Sequence, residues 1–224
     1  MGKIFGSLAL ALAIVVGAGV GVVQAQPPAA RGGANQAGPS QGQVIYQAAL
    51  AASKVDPAQW DWPSSASLGV RKEIIEGHYS PEELRNIYAT LARSSGPTWR
   101  GSGPPAANPS MAGLIAPDLI MHGRGFQGLE AFYGSNGYGG GVSDRVNKID
   151  TLIAHGDRIY ISWIIEGRHT GKLFGFPADG KTIHVRESAM TRYEDGKMVE
   201  IDDIGDDLAL YTQAGGKLSF PDKP

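Results

Sequence analysis

The chain predicts an α+β domain: a curved antiparallel sheet wrapped around N-terminal helices, leaving an internal pocket. Three observations lead there. A capped helix begins at Ser80, and its Leu84, Ile87, Tyr88 and Leu91 fall on one face at helical spacing. Strand-like alternation follows, with Ile159, Ile161, Trp163 and Ile165 on one side. Lys181 to Ile204 then reads as a long β-hairpin turning at Glu194-Asp195-Gly196.

The elements can be justified in order. Of 224 residues, 42% are hydrophobic and 19% charged, which suits one globular domain with extensions. A net charge of -2 offers no electrostatic case for nucleic-acid binding. The absence of cysteine excludes disulfide frameworks, thiol nucleophiles and thiolate metal sites. Lys3 precedes an apolar run, Ile4 to Val23, and Val23-Gln24-Ala25 has the small-x-small cleavage pattern. Residues 1–25 are therefore expected to be a signal peptide. The mature chain is expected to be periplasmic or secreted, with no stable membrane anchor. Residues 26–42, rich in Pro, Gly, Ala and Gln, read as a disordered linker. Residues 43–79 read as a helical extension, with helices over Gln43–Val55 and Ser67–Gly77 and with Trp60 and Trp62 packing it onto the domain at 80–216. Within the domain, Ser94–Ser110 is a long loop and Leu114–His122 contains a strand. Gln127–Tyr133 is a helical turn, and Gly134–Gly141 is a flexible turn without dinucleotide spacing. Val146–Ala154 and Arg158–Glu166 are strands joined through His155-Gly156-Asp157, and Asp206–Gln213 is a last helical turn ending near Gly215. Residues 217–224 are a tail.

The hairpin carries the candidate chemistry. A three-residue loop sets Tyr193 opposite Lys197, Ala189 opposite Ile201 and Glu187 opposite Asp203. A two-residue loop sets Asp203 against Ser188, with a less coherent apolar face. In the first register, Ile183, Val185, Glu187 and Ala189 share a face with Val199, Ile201 and Asp203. Desolvation and mutual repulsion would push one carboxyl of the pair upward, so that the two share a proton near neutral pH. Such a group can act first as base and then as acid. The plainer alternative is that one acid points to solvent or pairs with an arginine. No two histidines have a helical metal-ligand spacing, and there is no His-Glu-x-x-His, nucleophile elbow, phosphate loop or calcium loop, so no metal site is expected. His122 and His169 are candidates for lining the pocket, and Trp163, Ala189 and Ile201 for contacting substrate. Arg186 and Arg192 fall on the opposite face.

His122-Gly123 with Gly128-Leu129-Glu130-Ala131-Phe132, Ala154-His155-Gly156-Asp157-Arg158, Gly167-Arg168-His169-Thr170-Gly171 with Gly175-Phe176-Pro177, and Arg192 to Lys197 resemble, in order and spacing, motifs of the SnoaL-like polyketide cyclases. The resemblance spans about Ser80 to Gly216. It implies a nuclear transport factor 2-like cone around a pocket, and cofactor-free aldol ring closure of a polyketide ester or a related rearrangement. It places the family's general acid/base aspartate on Asp203 and a pocket glutamine on Glu187. Two pocket histidines of the family's antibiotic-pathway cyclases fall on Ala189 and Ile201. The expected partners are an apolar small molecule and a second copy of the chain in a homodimer. A non-catalytic binding protein for an apolar small molecule, or an isomerase or hydrolase on the same fold, remain the alternatives.

Overall fold

The computed structural model describes residues 38–95, 111–122, 126–127 and 141–219. The expected signal peptide, most of the linker, the 96–110 loop and most of the 128–141 segment lie outside them.

Three helices come first: α1 (Gln41–Ala52), α2 (Leu68–Glu76) and α3 (Pro81–Ser95). Helix α1 starts inside the expected linker because Ser40 and Gln43 form a capping box. The Ser40 hydroxyl accepts from Gln43 N, and the Gln43 side chain accepts from Ser40 N at 2.7 Å. Helix α3 is capped in the same way by Ser80 and Glu83. Glu83 also accepts from Gly156 N at 2.9 Å, tying the start of α3 to a strand turn. Trp60 is buried, packs edge-on to Tyr88 at 5.2 Å and donates to the Ala52 carbonyl, so the extension is held on α3 as expected.

The strands are β1 (Ile115–His122), the short β2 (Phe126–Gln127), β3 (Val142–His155), β4 (Arg158–His169), β5 (Thr182–Glu194) and β6 (Lys197–Gly205), followed by α4 (Asp207–Gln213). They form one curved, unclosed sheet in the order β2-β1-β6-β5-β4-β3. The sheet is antiparallel except where β1 runs parallel to β6. Its inner face carries Ile149, Ile159, Ile161, Ile165, Ile183, Val185 and Met198, all buried in one core with Val70, Ile74, Ile87 and Leu91 of the helices. Each such side chain contributes roughly 1.5–3 kcal/mol on transfer from water.

The hairpin register differs from the expected one. Asp195 and Gly196 both have positive φ, 49° and 75°, the signature of a two-residue type I′ turn, so Glu194 pairs with Lys197 and Tyr193 with Met198. Val199 is then an extra residue on β6: the next pair is Arg192 with Glu200. Beyond this bulge Ala189 faces Asp203 and Glu187 faces Gly205. The observed pairing is two residues from the expected one. Because strand faces alternate with period two, the division into inner and outer residues is preserved beyond the bulge, while Met198 takes the inner position expected of Val199 and the Glu187–Asp203 cross-strand pair is lost.

Candidate functional site

The concave face gathers polar groups from both layers. Asn86, Thr90 and Arg93 lie along one buried side of α3, at positions i, i+4 and i+7. Thr90 donates to the Asn86 carbonyl at 2.9 Å. Its single proton is thereby used, so in the 2.7 Å contact between Thr90 and Tyr193 the tyrosine hydroxyl is the donor. Arg93 in turn donates to Tyr193. The relay runs in one direction: Arg93, Tyr193, Thr90, Asn86 carbonyl. It fixes the guanidinium, which is 2% exposed, next to the charge of Asp203. Burial pushes Arg93 below its ordinary value, and the Tyr193 hydroxyl it donates to and the Asp203 carboxylate oppose that shift.

A second arginine reaches the same face from β3. The β3–β4 ladder slips between Ser143 and Val146, and Asp144 takes a positive φ of 52°. This bulge turns Arg145 inward, to 6% exposure and 3.9 Å from the Glu187 carboxylate. Gly167 makes the bulge possible: a Cβ there would lie 2.4 Å from Val142 Cγ1 and 2.9 Å from the Ser143 carbonyl oxygen. Arg145 also donates to Asn147, which ties to the Ser94 carbonyl at the end of α3.

Of the residues singled out from sequence, Asp203, Glu187, Trp163, His169, Ala189 and Ile201 are on the inner face. Ala189 is opposite Asp203 and Trp163 opposite Glu187. His169 is also inside, but six residues further along β4 than Trp163, roughly 20 Å at strand spacing. His122 is a correction. Met121 pairs with Ile201 and points inward, so His122 points outward, 3.5 Å from Glu200. There it lines a shallow recess of about 380 Å³ with Arg158, Met190, Arg192, Glu200 and Asp202. The shared proton between Glu187 and Asp203 also loses its basis, since an arginine accompanies each acid. Arg93, Arg145 and Tyr193 had not been anticipated. The α3 group left a signal, polar residues recurring at helical spacing within an apolar stripe; Arg145 left none.

Residues 112–214 match the family described as SnoaL-like polyketide cyclase. Over those residues the chain is similar to the SnoaL-like polyketide cyclases. A structure assigned as a SnoaL-like polyketide cyclase from Jannaschia sp. CCS1 is 20% identical, covers 63% of this chain and 99% of its own, and superposes with a TM-score of 0.53. TsrD from Streptomyces laurentii is 21% identical over 62% of this chain and 98% of its own, with a TM-score of 0.48. Comparison with curated proteins returns no match. The matched residues supply the sheet and its acids, while Arg93 comes from a helix that precedes them.

Proposed function

We propose that the protein is a cofactor-free acid/base enzyme acting next to a carbonyl, with Asp203 as the proton-transfer group. The observation that carries this reading is the placement of Asp203 beside a buried guanidinium held by a one-way hydrogen-bond relay. A neighbouring cation favours the ionised carboxylate, the state a general base needs. In an aldol-type ring closure, Asp203 takes a proton from the carbon beside the carbonyl. The enolate carbon then forms the new C–C bond to a second carbonyl, and Asp203 returns the proton to the resulting alkoxide. While Asp203 is neutral, Arg93 remains a cation close to where negative charge has moved. Glu187, held by Arg145, serves as a polar anchor, and Trp163, Ala189 and Ile201 supply apolar contact to a small-molecule substrate.

The reading extends to the rest of the chain. Export follows from the pattern at 23–25, with the mature protein beginning at Gln26. A homodimer through the outer sheet face is supported by exposed Ile120, Val146, Met190 and Ile204 set among the pairs Arg186–Asp150 and Arg192–Glu200.

The test begins with mass spectrometry of small molecules retained by the purified protein, followed by turnover of the identified class. Asp203→Asn is expected to lower turnover on the order of a hundredfold or more. Unchanged turnover would refute the catalytic assignment. A ligand that is held unchanged, with affinity only modestly altered by the same substitution, would instead mark a binding protein.

A further inference from the structure

His169 sits at the end of β4, on the same inner face as Ile165 and Gly167, and is fully buried. Its main chain is clamped, with His169 N donating to the Lys181 carbonyl and Gly180 N donating to the His169 carbonyl, both at 2.8 Å. Its Nδ1 lies 3.1 Å from Asp179 Oδ1. Asp179 is held low, at about 2, first by the Lys181 ammonium at 2.7 Å and then by Lys181 N at 3.1 Å. At neutral pH Asp179 therefore only accepts, and His169 Nδ1 must carry the proton. The other ring nitrogen, Nε2, is buried and makes no hydrogen bond. In the neutral ring it is a bare lone pair; in the imidazolium it would be a buried N–H with no acceptor. A buried polar atom left without a partner in an otherwise satisfied clamp calls for an explanation.

We propose that His169 Nε2 is an acceptor for a ligand hydroxyl, phenolic or enolic, and that Asp179 is the positioning residue that fixes the ring in the Nδ1–H form. Lys181 acts one step further out, holding Asp179. The ligand class is a hydroxylated aromatic or an enolisable carbonyl compound. This rests on reading the concave face as the ligand site, but it does not depend on Asp203 being catalytic. An aspartate that orients a histidine while the far nitrogen meets the reactant is a recurrent chemical device, and here the far nitrogen waits inside the fold.

The experiment is nitrogen NMR on the full chain labelled at histidine, at neutral pH, with phenol as probe and toluene as its hydroxyl-free counterpart. His169 is assigned with His169→Gln or, should that variant not fold, with Asp179→Asn, which perturbs this ring alone. The expected result is an Nδ1–H ring with an unprotonated Nε2 whose resonance moves with phenol and not with toluene. Asp179→Asn should mix the tautomers and weaken the phenol response severalfold. An Nε2–H ring in the wild type, a resonance that phenol leaves unmoved up to its solubility, or an unaltered tautomer in Asp179→Asn each overturns the proposal. Asp203→Asn should leave the phenol response intact, so a failure at Asp203 and a failure at His169 are told apart.

Discussion

Arg93 illustrates how much one buried charge depends on its surroundings. Its desolvation is offset by Tyr193 and Asp203, and Tyr193 is itself held through Thr90. Replacing it by methionine keeps the volume and removes the compensation. Arg93→Met is expected to cost about 3 kcal/mol, the scale for breaking a buried ion pair from one side. Adding Asp203→Asn should recover part of that loss, since the carboxylate no longer needs a cation. Urea unfolding of both single variants and the double variant measures the coupling, and strictly additive losses would show that the two groups do not interact. At Glu187 the milder Glu187→Gln is expected to reduce turnover less than Asp203→Asn, because a neutral amide keeps the size and polarity of an anchor and loses only the charge that Arg145 faces at 3.9 Å. Equal losses in a turnover assay would make Glu187 a proton-transfer group as well.

At the scale of elements, the bulge on β3 and the cap of α3 position the site. Gly167→Ala would force a methyl against Val142 and the Ser143 carbonyl and displace the bulge that aims Arg145. About 2 kcal/mol is expected, within the range for overpacking, measurable as a lowered Tm. Glu83 caps α3 and reaches Gly156 N, and its carboxyl lies below the ordinary range chiefly because Ser80 N donates to it. A lowered folded value means the bonus is fully present above the ordinary carboxylate range and is lost as pH falls through the folded value. The Tm gap between wild type and Glu83→Gln should therefore be widest near pH 7 and close in acid. A gap that does not shrink on acidification would sink this assignment.

At the scale of the whole molecule, two expectations rest on physical pattern. If residues 1–25 direct export, amino-terminal sequencing of protein from the envelope fraction should begin at Gln26; an intact Met1 would overturn the reading. None of the described helices is long and apolar enough to cross a membrane. The outer sheet face combines exposed aliphatic side chains with ion pairs such as Arg186–Asp150 at 2.6 Å. Light scattering at tens of micromolar, on the order of a weak dissociation constant, should return the mass of two chains; a single-chain mass would rule out the dimer.

The sequence by itself determined which residues line the inside of the sheet. Alternation is local, so Glu187, Ala189, Ile201 and Asp203 could be placed on one face without knowing their partners. Capping residues likewise announced α3. The tertiary structure decided the rest, because partnership is non-local. A two-residue turn and one extra residue, Val199, together moved Glu187 from Asp203 to Gly205. A bulge at Asp144 with room granted by Gly167 delivered Arg145, and a helix more than eighty residues upstream of β5 delivered Arg93. Along β1, Leu119-Ile120-Met121 is apolar at three successive positions, so alternation could not choose a face for His122. Pairing Met121 with Ile201 chose it. Local pattern specifies orientation; only packing against distant segments specifies which charges meet.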